Sequence, residues 1–498
     1  SIDRAEAEKN LRELTEQTVE SNLMKTGLLG AEEPHVAFST GSNPIHHVIY
    51  IIRENRTYDQ ILGDLGVGDG DPSLTMYGKD ITPNVHKLAL QFGVLDDFYD
   101  SGEVSGDGHV WSTAAITSDY TERDWQQAYR GAERTYDFEG VVQNGYPIQE
   151  RISDINEPES GYLWTDLSKQ RKTLYHFGEY VSTKFCDDSG EAPKQASPVN
   201  GTPEPVHLCE HGYIGPGEEI PANYGGGNSR YPWKIPLIYQ NIATKPELEG
   251  KFDPQYPDFN LSFPDQLRVN EFLTHFNVWV KDRMRGRDTM PAFVMLRLPN
   301  DHTAGTSPGM PTPTACVADN DLAVGRAVDA VSNSPYWDDT AIFIVEDDAQ
   351  DGADHVDAHR SVALVISKYA PRQGSKPMVD HTFYTTVSVL HTMEDILGIP
   401  PMNNNDALAP LMSPLFTGPG DQAPFTADYS NAANNLIYTA NSPNAPGAKK
   451  SSRMDFTHED RADARELNVI LWKDAMGNKP VPWMILHPHA TQKKGDGD

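Results

Sequence analysis

The run His47-Val48-Ile49-Tyr50-Ile51-Ile52-Arg53, ending at Glu54-Asn55, decides the fold class of this 498-residue chain. Its β-branched and aromatic residues follow one another with almost no alternation of polarity, as in a strand buried on both faces of a parallel sheet. Similar short apolar runs recur at Thr173 to Phe177, Ala292 to Leu298, Ala341 to Val345 and Val362 to Ser367, and Val94 to Tyr99 reads as a further strand. Helical patterns lie between several of them. Thr82 is the expected N-cap of a helix with Pro83 in its first turn and Val85, Leu88 and Ala89 on its apolar side. Others are expected over Asp265 to Met284, Asp319 to Ser332 and Thr382 to Leu397, and Trp111 to Ile116 reads as a helix after a glycine-rich loop. Strands alternating with helices predict an α/β fold, a three-layer α/β/α sandwich around a mostly parallel central sheet.

Residues 120–165 and 184–262 break this rhythm with Gly, Pro, Asn and aromatics, and are expected to be insertions over the functional edge of one main domain spanning 41–416. Residues 1–40 form an expected N-terminal helical extension, with Leu11, Leu14, Val19 and Leu23 as a thin apolar stripe. Residues 417–498 form an expected C-terminal extension packed on the main domain, with one amphipathic helix from about His458 to Met476.

With 41 Lys and Arg against 72 Asp and Glu, the net charge is −31. Nucleic-acid affinity comes mainly from neutralising phosphates with basic side chains, so no nucleic-acid partner is expected. No run approaches the roughly 18 apolar residues of a transmembrane segment. The sequence starts at Ser1 without the order of a signal peptide, so any targeting segment is expected to have been removed or left out. Of three cysteines, Cys186 and Cys209 flank a loop that a disulfide would close, implying an oxidising compartment, while Cys316 is left over.

Ligands of open α/β sheets bind beyond the carboxyl ends of the strands. Those ends carry Glu54-Asn55, the Ser105 loop, Asn300-Asp301-His302 and Glu346-Asp347-Asp348, with Asp354 to Arg360 following. Oxygen and imidazole donors of this kind suit a divalent cation, one or two ions of Zn, Mn, Mg or Ca type. Three consecutive carboxylates repel one another unless cations or hydrogen bonds compensate, although any one strand-end carboxylate can instead cap a helix. Ser105, with Gly at 102, 106 and 108, sits where a backbone can approach a phosphoryl group closely. Its hydroxyl needs a base or a metal to become a nucleophile. His359 beside Arg360 is read as a substrate-binding pair; His355 and His391 are read as a solvated and a packed histidine.

The segment Ile45 to Asp64, with its Val-Ile-Tyr-Ile-Ile-Arg-Glu-Asn-Arg-Thr-Tyr-Asp run, resembles the opening motif of the phosphoesterase family of bacterial phospholipase C and acid phosphatase type, within the alkaline phosphatase-like superfamily. Thr82-Pro83-Asn84 through Tyr99 is similar to the helix and strand that precede the nucleophile in sulfatases and their relatives. By that resemblance Ser105 falls at the nucleophile and His109 where sulfatases carry an anion-binding Arg. Asp347 and Asp348 match a metal-binding pair, and Asp380-His381-Thr382 matches a segment whose His binds metal. The pattern departs at Asp348, which replaces the usual His or Glu, and at Gly305, near the point where two-metal members place a further His.

The resemblance implies a metal-dependent phosphoric ester hydrolase, a phosphatase or phosphodiesterase of phospholipase C-like type, working through a phosphoseryl intermediate. Glu54, Ser105, Asp347 and Asp348 would hold a cation, Asn55 and His109 would donate to the substrate oxygens, and Asp301, His302 and His381 would form a second metal site. Its partner would be a small phosphorylated substrate or a phospholipid headgroup, and its location periplasmic or secreted. The alternatives are a sulfatase- or phosphonate-type hydrolase on the same fold, or a catalytically inactive, metal-stabilised binding protein.

Overall fold

Strand β1 (His47–Arg53) is buried along its whole length and pairs in parallel on both sides, as an interior strand with two covered faces must. The computed structural model describes residues 15, 35–128, 136, 139–140, 155, 157–186, 212–372, 376–456 and 460–487. With β2 (Leu174–Phe177), β3 (Phe293–Arg297), β4 (Thr340–Glu346) and β5 (Leu364–Ser367), β1 forms a five-stranded sheet of order β5-β4-β1-β3-β2. Every pairing is parallel except that of β4 with β5. Arg53 lies opposite Glu346, and Ile52 opposite Arg297, so three strands end level with one another. That register sets Glu54, Leu298 and Asp347 at the start of neighbouring loops.

Helices α1 (Pro83–Phe92), α2 (Ser105–Ala114), α3 (Leu163–Lys169), α4 (Asp265–Arg283), α5 (Pro313–Ser332), α6 (Thr386–Leu397) and α7 (Ala464–Met476) supply the outer layers. Because side chains alternate across a strand, β1 sends Ile49 and Ile51 to one face and Val48, Tyr50 and Ile52 to the other. The first face packs on Leu88 of α1, Phe272 of α4, Val324 of α5 and Leu471 of α7. The second packs on Val110 of α2, Leu167 of α3 and Leu390 of α6. The result is a three-layer α/β/α sandwich with a mostly parallel sheet. Among the described residues no helix is long and apolar enough to cross a membrane.

Several boundaries differ from those the sequence pattern predicts. Val94 to Tyr99 is not one strand: Val94–Leu95 pairs with Val379–Asp380 and Phe98–Tyr99 with Tyr384–Thr385, outside the main sheet. Asp96 and Asp97 interrupt it, their carboxylates taken by Asp69 N–H and the Tyr99 hydroxyl. The same pairing keeps Tyr384–Thr385 extended, so α6 starts at Thr386 rather than Thr382. Helix α5 starts earlier than expected, at Pro313, because Thr312 caps it through Ala315 N–H. At α1 the Thr82 side chain makes no cap; the Asp321 carboxylate of α5 receives Asn84 and Val85 N–H at 3.1 and 2.8 Å.

Two small antiparallel pairings, Val181–Phe185 with Ile238–Ala243 and Tyr213–Ile214 with Ile235–Pro236, lie in or beside the second of the expected insertions. Cys186 is disulfide-bonded and Cys316 is free and buried; Cys209, the cysteine that remains of the three, lies outside the described residues. So does the expected N-terminal helix, apart from Thr15, which is helical.

On α4, His275 Nε2 lies 2.7 Å from Asp253 Oδ2 and 3.6 Å from Glu271 Oε1, one turn earlier. Burial disfavours the imidazolium, but its bonds to Asp253 and Glu271 outweigh this and push it up to about 9. An unfolded histidine titrates near about 6.5. The ion pair's contribution to stability is therefore complete below about pH 6.5 and lost as pH rises through about 9. Between pH 7 and 10 the thermal midpoint should fall more for the unaltered protein than for His275→Gln. Parallel curves would contradict the pairing.

Candidate active site

The level ends of β1, β3 and β4 bring three strand-end segments side by side, and Asn55 ties two of them together. Its backbone takes φ +66°, a left-handed conformation that asparagine tolerates better than most residues. That turn points Asn55 N–H at Asp347 Oδ1 (3.3 Å) and its Nδ2 at both Asp348 Oδ1 (2.8 Å) and Ser105 Oγ (3.2 Å).

Ser105 arrives from the other direction. Helix α2 begins at Ser105 itself, not at Trp111, because its glycines serve close packing rather than a flexible loop. A Cβ on Gly108 would stand 2.4 Å from the Asp347 carbonyl oxygen, and one on Gly102 would stand 2.3 Å from the Gly108 Cα. The first turn of α2 is thereby pressed onto the Asp347-Asp348 backbone. Ser105 is 2% exposed, and its hydroxyl donates to Asp348 Oδ2 at 3.1 Å.

The charges around this centre do not balance with protein groups alone. Arg53 is taken by Asp301 (2.9 Å) and Glu346 (2.8 Å), and Arg297 by Glu54 and Glu139 (both 2.6 Å). Among the described residues no Lys or Arg pairs with Asp347 or Asp348; the nearest cationic group to Asp347 is His109 Nε2 at 3.5 Å. Burial, then the charges of Glu54 and Asp348, raise the Asp347 carboxyl well above its usual range. Burial, then Asp460 and Asp100, do the same to Asp348. Glu54 is held low instead, since Arg297 and His109 outweigh its burial.

Three buried oxygens here, Glu54 Oε2, Asn55 Oδ1 and Asp347 Oδ2, accept no hydrogen bond. Buried polar atoms are ordinarily satisfied, so a convergent set of orphaned oxygens fits a cation. Glu54, His109 and Asp347 each present a ligand atom within 4.8 Å of the others. Oxygen donors with one imidazole suit a divalent ion of Zn, Mn, Mg or Ca type.

No family model and no curated protein matches the sequence. Solved structures similar to this chain include a protein of the alkaline phosphatase superfamily from Vibrio parahaemolyticus, at 17% identity over 80% of this chain and 79% of that one, with a TM-score of 0.41. A sulfatase from Pseudoalteromonas sp. is similar at 14% identity, over 82% of this chain and 77% of that one, with a TM-score of 0.41. A phosphonate monoester hydrolase of Agrobacterium radiobacter is similar at 14% identity, over 74% and 77% of the two chains, with a TM-score of 0.37.

Of the residues singled out in the sequence, Glu54, Asn55, Ser105, His109, Asp347 and Asp348 come together. His109 is fully buried, with Nδ1 2.9 Å from Glu179 and Nε2 turned toward Glu54, Asp347 and Arg297, so it faces the cation cluster rather than an open substrate surface. Asp301 lies behind the centre, accepting Glu54 N–H at 3.0 Å and pairing with Arg53. His302 packs edge-on against Phe259, with Nδ1 2.8 Å from the Thr303 carbonyl. His381 is not brought to them: its side chain is 72% exposed and sits 2.9 Å from Asp96. His359 binds Asp357 and Glu103, which push it up to about 10. Arg360 is buried between Asp354 (2.9 Å) and Asp59 (3.1 Å), tying two loops rather than facing a substrate.

The structure adds Arg297, Glu139, Glu179 and Asp460 to the neighbourhood. Glu179 follows the end of β2 by one glycine, so the strand-end rule applied there would have found it. Arg297 had a signal too, as a lone cation closing an apolar strand. Glu139 comes from a segment without periodicity, and Asp460 falls within the helix expected from about His458, which starts only at Ala464 where Asp463 caps it, so nothing local marks either residue.

Proposed function

We propose that this chain is a metal-dependent hydrolase of phosphoric esters, with Ser105 as its nucleophile. One observation carries the reading: Ser105 Oγ sits between Asn55 Nδ2 and Asp348 Oδ2 at the edge of three orphaned ligand oxygens. A serine hydroxyl is a weak nucleophile until its proton has an acceptor. Asp348 Oδ2, 3.1 Å away, is that acceptor, and Asn55 Nδ2 at 3.2 Å supports the charge left on Oγ.

Glu54, Asn55, Asp347, Asp348 and Ser105 would hold the cation, and His109, whose Nε2 lies 3.4 Å from Glu54 and 3.5 Å from Asp347, would join them only in its neutral form. Such an ion supplies positive charge to the serine oxygen and to the phosphoryl oxygens as negative charge grows on them. Arg297, bonded to Glu54 and 3.1 Å from His109 Nε2, fixes the orientation of both. In the chemical step the Ser105 proton passes to Asp348, a bond forms between Ser105 Oγ and phosphorus, and the bond to the leaving oxygen on the opposite side of phosphorus breaks, that oxygen taking a proton from solvent water. Water then releases phosphate from the serine. Phosphomonoesters, diesters and phospholipid headgroups all present this chemistry.

Acid-quenched protein incubated with p-nitrophenyl phosphate should carry a phosphoryl group on the peptide containing Ser105, detected by mass spectrometry. Turnover with no adduct, or with an adduct elsewhere, overturns the reading. Chelation should abolish turnover, a divalent ion should restore it, and the thermal midpoint of the chelated protein should fall because Glu54, Asp347 and Asp348 are then left facing one another.

A further inference from the structure

We propose that Asp460 is an internal competitor for the anion site at Ser105, so that the segment leading into α7 covers the nucleophile until an anionic ester displaces it. The inference rests on the reading of Ser105 as nucleophile and adds a mode of regulation to the same site.

The first N–H groups of a helix have no partner within it and carry the positive end of its dipole. In α2 these include the N–H groups of Ser105 and Gly106. They are satisfied from the far end of the chain: Ser105 N–H donates to Asp460 Oδ1 at 2.9 Å and Gly106 N–H to Asp460 Oδ2 at 2.8 Å. The Tyr136 hydroxyl adds a third bond, to Oδ2 at 2.7 Å. A carboxylate spanning two successive amides of the nucleophile's own turn stands where two oxygens of a phosphoryl group would bind. Two anions cannot share those amides.

The contact works against other features of the site. Asp460 adopts φ +58°, a left-handed conformation that aspartate reaches more readily than most residues but less readily than glycine. Its charge also acts on Asp348, which already lies in a centre short of positive side chains. Asp321 caps α1 in a similar bidentate way, but it is fully buried and far along the chain from Ser105. Asp460 is partly exposed, on a turn four residues before α7.

Helix α7 couples that turn to the cation ligands. Its Asn468 Nδ2 donates to the carbonyls of Gln350 (2.8 Å) and Asp351 (3.1 Å), in the loop directly after Asp348, while Leu467 and Leu471 anchor it in the core. A displaced Asp460 therefore leaves a docked helix behind it, and the turn alone needs to move.

The test is orthovanadate binding by titration calorimetry to the full chain with a divalent ion present, for the unaltered protein, Asp460→Ala and Asp460→Asn. The Ala variant should bind orthovanadate about tenfold tighter, within the range of ordinary coupling between two ligands. The Asn variant, which keeps an acceptor but loses the charge, should fall between. Affinity equal to or weaker than that of the unaltered protein in the Asn variant, with its thermal midpoint preserved, overturns the proposal and leaves Asp460 as a helix cap. Turnover of p-nitrophenyl phosphate is followed on the same samples. Tighter binding in the variants with no turnover in any sample overturns the hydrolase reading but keeps Asp460 as a competitor; turnover in all three with equal affinities overturns the competitor alone.

Discussion

Ser105→Ala is expected to lower turnover of phosphoric esters by about three to six orders of magnitude, the range found when a covalent nucleophile is removed from an otherwise intact site. The fold should hardly register the change. Ser105 contributes one hydrogen bond to Asp348 and accepts one from Asn55, and Asn55 keeps its 2.8 Å bond to Asp348 without it. Such a loss is worth about 1 kcal/mol. Ser105 offers the cation only a neutral hydroxyl, whereas the carboxylates of Glu54, Asp347 and Asp348 and Asn55 Oδ1 all remain, so with the divalent ion in excess the metal content should stay near that of the unaltered protein. The informative result is the combination of retained metal, retained thermal midpoint and lost turnover. Substantial activity in Ser105→Ala would mean that water attacks directly and that the covalent route is wrong.

How far the sequence anticipates this site depends on which interactions place each residue. Glu54, Asn55, Asp347 and Asp348 were legible because strand register is local: once β1 and β4 are recognised as buried parallel strands, their ends fall together. Ser105 was legible as a residue but not as the first residue of a helix. The glycines around it look like loop formers, and only the 2.4 Å approach that a Gly108 Cβ would make to Asp347 shows that they exist for contact. Arg360 and His381 mislead for the opposite reason. A charged run in a loop carries no record of whether its partners are substrate or protein, and here Asp59, Asp354 and Asp96 already occupy them. Glu139, Tyr136 and Asp460 converge on α2 and Arg297 through contacts between segments far apart in the chain, which no periodicity encodes.

Asp347→Asn should separate function from stability, moving the two in opposite directions. The Asp347 carboxyl lies buried beside Glu54 and Asp348, with His109 as its nearest cationic neighbour at 3.5 Å. Its folded value is raised above that of an unfolded aspartate, so without a cation its ionisation opposes folding. The contribution of this one carboxyl to the stability of the metal-free protein is greatest below about pH 4, the unfolded value, and falls as pH rises through the elevated folded one. An asparagine removes that charge, and its Nδ2 is a donor in a cluster where the neighbouring Glu54 carboxylate still has an oxygen, Oε2, without a hydrogen bond. At neutral pH the metal-free variant should therefore be more stable than the metal-free parent, by about 1–3 kcal/mol. Activity should go the other way. Loss of a direct ligand should weaken cation binding by more than the roughly 10–100-fold seen when only an outer partner of a ligand is lost, and turnover should fall with it. Metal analysis, thermal unfolding with and without chelator, and turnover on the same preparation give all three numbers. If Asp347→Asn binds metal as tightly as the parent, the cation cluster is misassigned. If it loses metal and is also less stable metal-free, the carboxylate holds the fold together rather than being held by it, and the strain at this centre has been read with the wrong sign.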